Sequence, residues 1–96
     1  MSGLTVVARI AAKKDSVEEV KNELLKIVEP TRDEQGCIAY VLHQDNDDPA
    51  LFIIYENWES NDCLDSHMNT PHFKHLVAAI DGRTEELTIN KLTRLK

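Results

Sequence analysis

Cysteine is scarce in this chain of 96 residues: only Cys37 and Cys63 occur, and they form no CxxC pair. That excludes a disulfide framework and makes a reducing cytoplasm the expected compartment. Long hydrophobic runs are missing as well. No apolar stretch approaches the ~20 residues of a membrane span. The N-terminal MSGLTVVARI lacks the basic flank and long apolar centre of a signal peptide. The three glycines are scattered, so there is no Gly-rich phosphate loop, dinucleotide fingerprint or nucleophile elbow. An enzyme of this sequence is therefore expected to work without a bound organic cofactor or to borrow one from solution. Basic residues are in the minority, 11 against 17 acidic, for a net charge of −6. Phosphate backbones need clustered Lys and Arg, so nucleic acid is an unsuitable partner, and the acidic excess reads as a solubility feature.

What is present is periodic. The length suits a single domain over residues 1–96. Leu4 to Ala12 is a short apolar and β-branched run ending at Lys13 and Lys14, and it reads as a strand. Val17, Val20, Leu24, Ile27 and Val28 recur at three- and four-residue spacing, one apolar helical stripe. Asp15 or Ser16 can cap that helix, and Pro30 and Gly36 are expected to end it. Two strand-like runs, Cys37–Gln44 and Ala50–Trp58, flank the turn-rich DNDDP and predict a hairpin. Ser60 caps a short helix; Thr70 caps another, with Pro71 at its first position and Gly82 as its stop. Glu86 to Leu95 supplies a last strand.

The order β-α-β-β-α-α-β predicts an α+β, ferredoxin-like antiparallel sheet with helices on one face. Both faces of the predicted strands carry apolar residues, such as Leu4, Val6, Ala8 and Ile10 on one and Val7 and Ala11 on the other. A half-solvated sheet would alternate apolar with polar. The uncovered face is therefore expected to meet a second copy of the chain, giving a homodimeric α+β barrel.

Chemistry-bearing residues concentrate late in the chain. SHMNTPHFKHL places His67, His72 and His75 close together. The HEXXH spacing of a zinc helix is absent and neither cysteine lies at a ligand spacing from them, so no metal is expected. Acid–base work suits histidine better, because it titrates near neutrality. His43 lies in a strand of apolar residues, on the face opposite Ile38, Tyr40 and Leu42. Tyr40, Tyr55 and Trp58 read as core or interface aromatics that each find one hydrogen bond. Glu56, between Tyr55 and Trp58, needs a partner or an altered pKa, and Arg32 or Arg9 is the expected partner. Asp45, Asp47 and Asp48 lack the spacing and glycine of a calcium loop and read as a solvated turn.

The tokens P-T-R-x-E-x-G-C (Pro30–Cys37), Y-E-x-W (Tyr55–Trp58) and H-x-x-T-P-H-F (His67–Phe73), in that order, resemble the antibiotic biosynthesis monooxygenase family. Within it they are similar to the small bacterial quinol-monooxygenase-like proteins. The resemblance implies a ferredoxin-like dimer with a pocket between sheet and helices. It also implies oxidation of a quinol, anthrone or related polyphenol by O₂ without metal or flavin, the substrate itself supplying the electrons. Carried onto this chain, it implies His43, His67 or His72 as proton acceptor, with Trp58 and Tyr55 as pocket walls or donors. Tyr40, Glu56 and Phe73 complete the expected pocket, while Arg32 and Glu34 are expected to hold the start of the hairpin. Related haem-degrading enzymes use a first-strand asparagine that LTVVARIAA does not contain. The enzyme that isomerises phosphorylated autoinducer-2 is also similar, through Y-E and H-x-x-T-P-H; Arg9, Arg32, Lys74 or Arg83 would then serve its phosphate. A non-enzymatic ligand-binding dimer is a third reading.

Overall fold

The computed structural model describes residues 3–96. Its elements run β1 (Leu4–Ala12), α1 (Val17–Arg32), β2 (Cys37–Gln44), β3 (Leu51–Trp58), α2 (Asn61–Met68), α3 (Pro71–Ile80) and β4 (Thr84–Leu92). All pairings are antiparallel, in the order β2-β3-β1-β4. This is the expected ferredoxin-like order, with the helices on one face.

Alternation along each strand sorts the residues. Val6, Ala8, Ile10 and Ala12 of β1, and Phe52, Ile54, Glu56 and Trp58 of β3, are buried beneath the helices. Val20, Leu24 and Ile27 of α1 close over them. Each such aliphatic side chain contributes about 1.5–3 kcal/mol on full burial. The opposite face carries Val7, Ile53, Tyr55 and Val41 with no helix over it; Tyr55 is 41% and Val41 38% exposed.

Several details differ from the sequence expectation. Pro30 does not end α1, which runs on to Arg32. In the last turn proline forfeits one backbone bond, and the burial of Thr31 beyond it holds the turn. Ser16 occupies the N-cap position of α1 without a side-chain bond to the helix; its hydroxyl donates to Asp15 instead. The last strand starts at Thr84, earlier than Glu86, because the turn through Gly82 (φ 78°) delivers the chain directly to Ala12. It stops at Leu92 because its partner strand has reached Thr5 there. Finally, β2 bulges between Cys37 and Ala39, which leaves Ile38 61% exposed rather than buried with Tyr40.

Gly36 turns the chain from α1 into β2 at φ 84°, and a Cβ there would collide with the Cys63 thiol. Only glycine meets both demands. In the DNDDP turn, Asp45 accepts from the amides of Asp47 and Asp48, and Asp48 accepts from Ala50. The acidic cluster thus serves its own backbone.

Candidate active site

Two helix starts fix the candidate residues. Ser60 caps α2 by accepting from Cys63 N, and Thr70 caps α3 by accepting from Phe73 N, with Pro71 at its first position. The break between them presents His67 from the last turn of α2 and His72 and Phe73 from the first turn of α3. Met68 stands between, and His67 packs against Tyr40 of β2 and Trp58 of β3.

His67 is 2% exposed and is caged by rings: Trp58 at 4.9 Å between centroids, Phe73 at 5.1 Å edge-on and Tyr40 at 5.8 Å. Its Nδ1 lies 2.7 Å from Glu34 Oε2, and the same oxygen lies 2.6 Å from His72 Nε2. An ionised carboxylate can only accept, so both nitrogens donate to it. Burial lowers the His67 pKa, opposed by the hydrogen bond and charge of Glu34. A neutral His67 holding its proton on Nδ1 leaves Nε2 bare, a proton acceptor. Sequence reasoning gave Glu34 only a place at the hairpin start; here it joins the α1–β2 turn to both helices.

Glu56 is 5% exposed. Neither Arg32 nor Arg9 reaches it: Arg32 donates to Tyr40 O and pairs with Glu29, while Arg9 pairs with Glu86. The partner is the indole of Trp58, which donates to Glu56 Oε1 at 2.9 Å. Burial pushes the Glu56 pKa up to about 7, the Trp58 bond restrains it, and the Glu34 charge adds to the rise. Tyr40 is driven upward too, by burial and then by the Glu56 charge.

Between sheet and helices lies a pocket whose polar lining is Tyr40, Glu56 and His67, the remainder being apolar side chains such as Ile10, Ile54, Leu64, Phe73 and Ile89. Its cavity volume is about 40 Å³, room for roughly three waters. An aromatic ring must therefore displace side chains, and unbranched Met68 and half-exposed Leu87 are placed to yield. No Lys or Arg lines it.

The expected site residues thus divide. Tyr40, Glu56, His67 and Phe73 line one pocket. Trp58, fully buried, supports it from beneath through Glu56 and His67. His72 reaches it only through Glu34. His43 and Tyr55 project from the helix-free face of the sheet and do not line this pocket; the His43 ring sits against Val41 O. His75 is exposed and faces Glu23. Glu34, His67 and His72 are also the cluster that could hold a metal among the described residues, their donor atoms lying within 4.8 Å of one another. Two imidazole nitrogens and a carboxylate suit a divalent ion of intermediate softness.

The sequence pattern of the antibiotic biosynthesis monooxygenase family matches residues 3–79. The Synechocystis protein sll1783 is 34% identical over 74 residues, which cover 77% of this chain and only half of that longer protein. The Escherichia coli protein named "Probable quinol monooxygenase YgiN" is 30% identical, over 93% of this chain and 95% of its own. The crystal structure of PA3566 from Pseudomonas aeruginosa superposes with a TM-score of 0.95 at 35% identity, covering 100% of this chain and 97% of that one. With matching sequence pattern, strand order and helix layer, the chain belongs to the antibiotic biosynthesis monooxygenase family.

Proposed function

We propose that this protein is a cofactor-independent monooxygenase that oxidises a quinol, anthrone or related polyphenol with O₂. The observation that carries the reading is the composition of the pocket: apolar walls whose polar lining is His67, Glu56 and Tyr40, with Tyr40 beside both of the others. An aromatic ring bearing one hydroxyl at its edge matches that polarity. His67 Nε2 removes the hydroxyl proton, and Glu34 balances the imidazolium that forms. The resulting anion is electron-rich enough to pass an electron to O₂, and the dry walls keep both reactive species from water. Glu56, near its midpoint at neutral pH, donates or accepts a hydrogen bond at the same oxygen.

The phosphorylated-dicarbonyl alternative would need cationic groups at the pocket. None of the candidates lines it: Arg9 and Arg32 are paired with other residues, Arg83 faces Glu19, and Lys74 is exposed in the neighbouring groove of Met68 and Phe73. In this reading the chain is a cytoplasmic homodimer of one domain, with the apolar face of Val7, Val41, Ile53 and Tyr55 covered by a second copy. A solution mass of one chain at micromolar concentration contradicts the dimer. The function is tested by oxygen uptake on a panel of quinols and anthrones with no cofactor added. Uptake above autoxidation, lost in His67→Ala, is expected; no uptake across the panel defeats the proposal.

A further inference from the structure

We propose that Glu34, His67 and His72 form a binding site for one divalent transition ion of the zinc or cobalt type. The three donors come from three parts of the chain: Glu34 from the turn between α1 and β2, His67 from the last turn of α2 and His72 from the first turn of α3. No single helix repeats them, so no metal-binding spacing is visible along the sequence. In space they converge. Glu34 Oε2 lies 2.7 Å from His67 Nδ1 and 2.6 Å from His72 Nε2, and all three donor atoms lie within 4.8 Å of one another. Around a tetrahedral ion with bonds of about 2.0–2.1 Å, neighbouring donors stand roughly 3.3 Å apart. Glu34 has to withdraw from each ring by about 0.7 Å, and the two ring nitrogens to approach by at most about 1.5 Å.

Two imidazole nitrogens and one carboxylate, with a fourth position left to water, are a donor set that zinc accepts. The His67 side chain is 3% exposed, that of Glu34 12% and that of His72 26%, so the site is anchored inside and reached from outside. The way in is the open groove that Glu34 and Asp62 line with Ser66 and Thr70, and no Lys or Arg stands in it. A negative mouth on a chain of net charge −6 gathers cations. The exchange balances. The ion gives up three waters for two ring nitrogens and a carboxylate oxygen. The proton on Nδ1 of neutral His67 moves to Nε2, and the one on His72 Nε2 moves to Nδ1 or leaves to water. An ion on His67 thus places a proton on the nitrogen that the functional reading above needs bare, so ion and substrate proton compete for one ring. That consequence rests on the functional reading; the site does not.

The test is titration of the purified, chelator-treated protein with cobalt(II), read by the visible absorption of a four-coordinate ion and by competition with zinc. The expected result is one cobalt per chain at micromolar protein, displaced by zinc, which binds such sites more tightly. His72→Ala and Glu34→Gln should each weaken binding by roughly 100-fold, since a lost ligand costs at least as much as a lost supporting residue. His75→Ala should leave binding unchanged, because His75 is exposed beside Glu23 and outside the cluster. No absorption band at micromolar protein, or a band that survives His72→Ala, overturns the site and leaves Glu34 a latch between the turn and the helices. A band lost in His75→Ala overturns it too, as an adventitious surface ion. Should Glu34→Gln fail to fold, the His72 variant at its partly exposed position still decides. Binding without oxygen uptake on any quinol upholds the site while the oxygenase reading falls; uptake without binding does the reverse. Where both hold, one equivalent of zinc should suppress uptake, and uptake at full rate in the zinc-loaded protein removes His67 as the base.

Discussion

Replacing Glu56 by glutamine removes a charge that the pocket accommodates at a cost. The Glu56 carboxyl sits at about 7 in the fold against its usual 4.5. The folded state therefore holds the Glu56 proton more tightly than the unfolded chain does. Stability is intact below 4.5, where both states are protonated, and is lost as pH rises through the folded value. At about 1.4 kcal/mol per pH unit the full loss is roughly 3 kcal/mol. Glutamine is neutral throughout and can still accept from the Trp58 indole. Any fixed cost of its extra amide hydrogens is the same at every pH. Relative to the parent, Glu56→Gln should gain about 3 kcal/mol between pH 4 and pH 8. The assay is urea unfolding at a fixed protein concentration, followed by the fluorescence of the one tryptophan, Trp58, which is fully buried. Contributions from groups that do not sense Glu56 are common to both proteins and cancel in the difference. A parent–variant difference that stays flat from pH 4 to pH 8 would refute the buried-acid reasoning.

Three further outcomes follow from the same geometry. Gly36→Ala should lose about 2–4 kcal/mol on urea unfolding, since it combines a left-handed backbone with overpacking against Cys63; a loss under 0.5 kcal/mol would mean the turn relaxes freely. Trp58→Phe removes the donor to Glu56, should destabilise by about 1–3 kcal/mol and should move the alkaline limb of turnover upward, because that bond holds the Glu56 pKa down; an unchanged pH profile speaks against Glu56 at the reacting oxygen. Exhaustive chelation should leave oxygen uptake intact, although Glu34, His67 and His72 could hold an ion; activity that disappears and returns with one metal would transfer the chemistry to that cluster.

Much of this architecture was legible because local signals agreed. Ser60, Thr70 and Pro71 mark helix starts wherever they fall, and the β1, β2 and β3 runs carry their own periodicity. Pro30 misleads because a proline in a final turn costs a single bond, which packing of Thr31 offsets. The limits of β4 depend on where β1 begins, a contact from the other end of the chain. The site was half legible. Tyr40, Glu56, His67 and Phe73 were named, but so were His43 and Tyr55, which stand on the same strands with the opposite parity. When both faces of a strand are apolar, the pattern does not say which one the helices cover. Glu34 stood in a recognisable token, yet its partners lie 33 and 38 residues away, and no local pattern announces such a pairing.

The most direct test of the central claim is the fate of the oxygen atoms. With isotopically labelled O₂ and a quinol or anthrone that the purified, metal-free protein consumes, one labelled atom should appear in the organic product and the other in water. His67→Ala should reduce labelling to the autoxidation level. Product oxygen drawn from water, or label incorporation that His67→Ala leaves unchanged, would contradict the account.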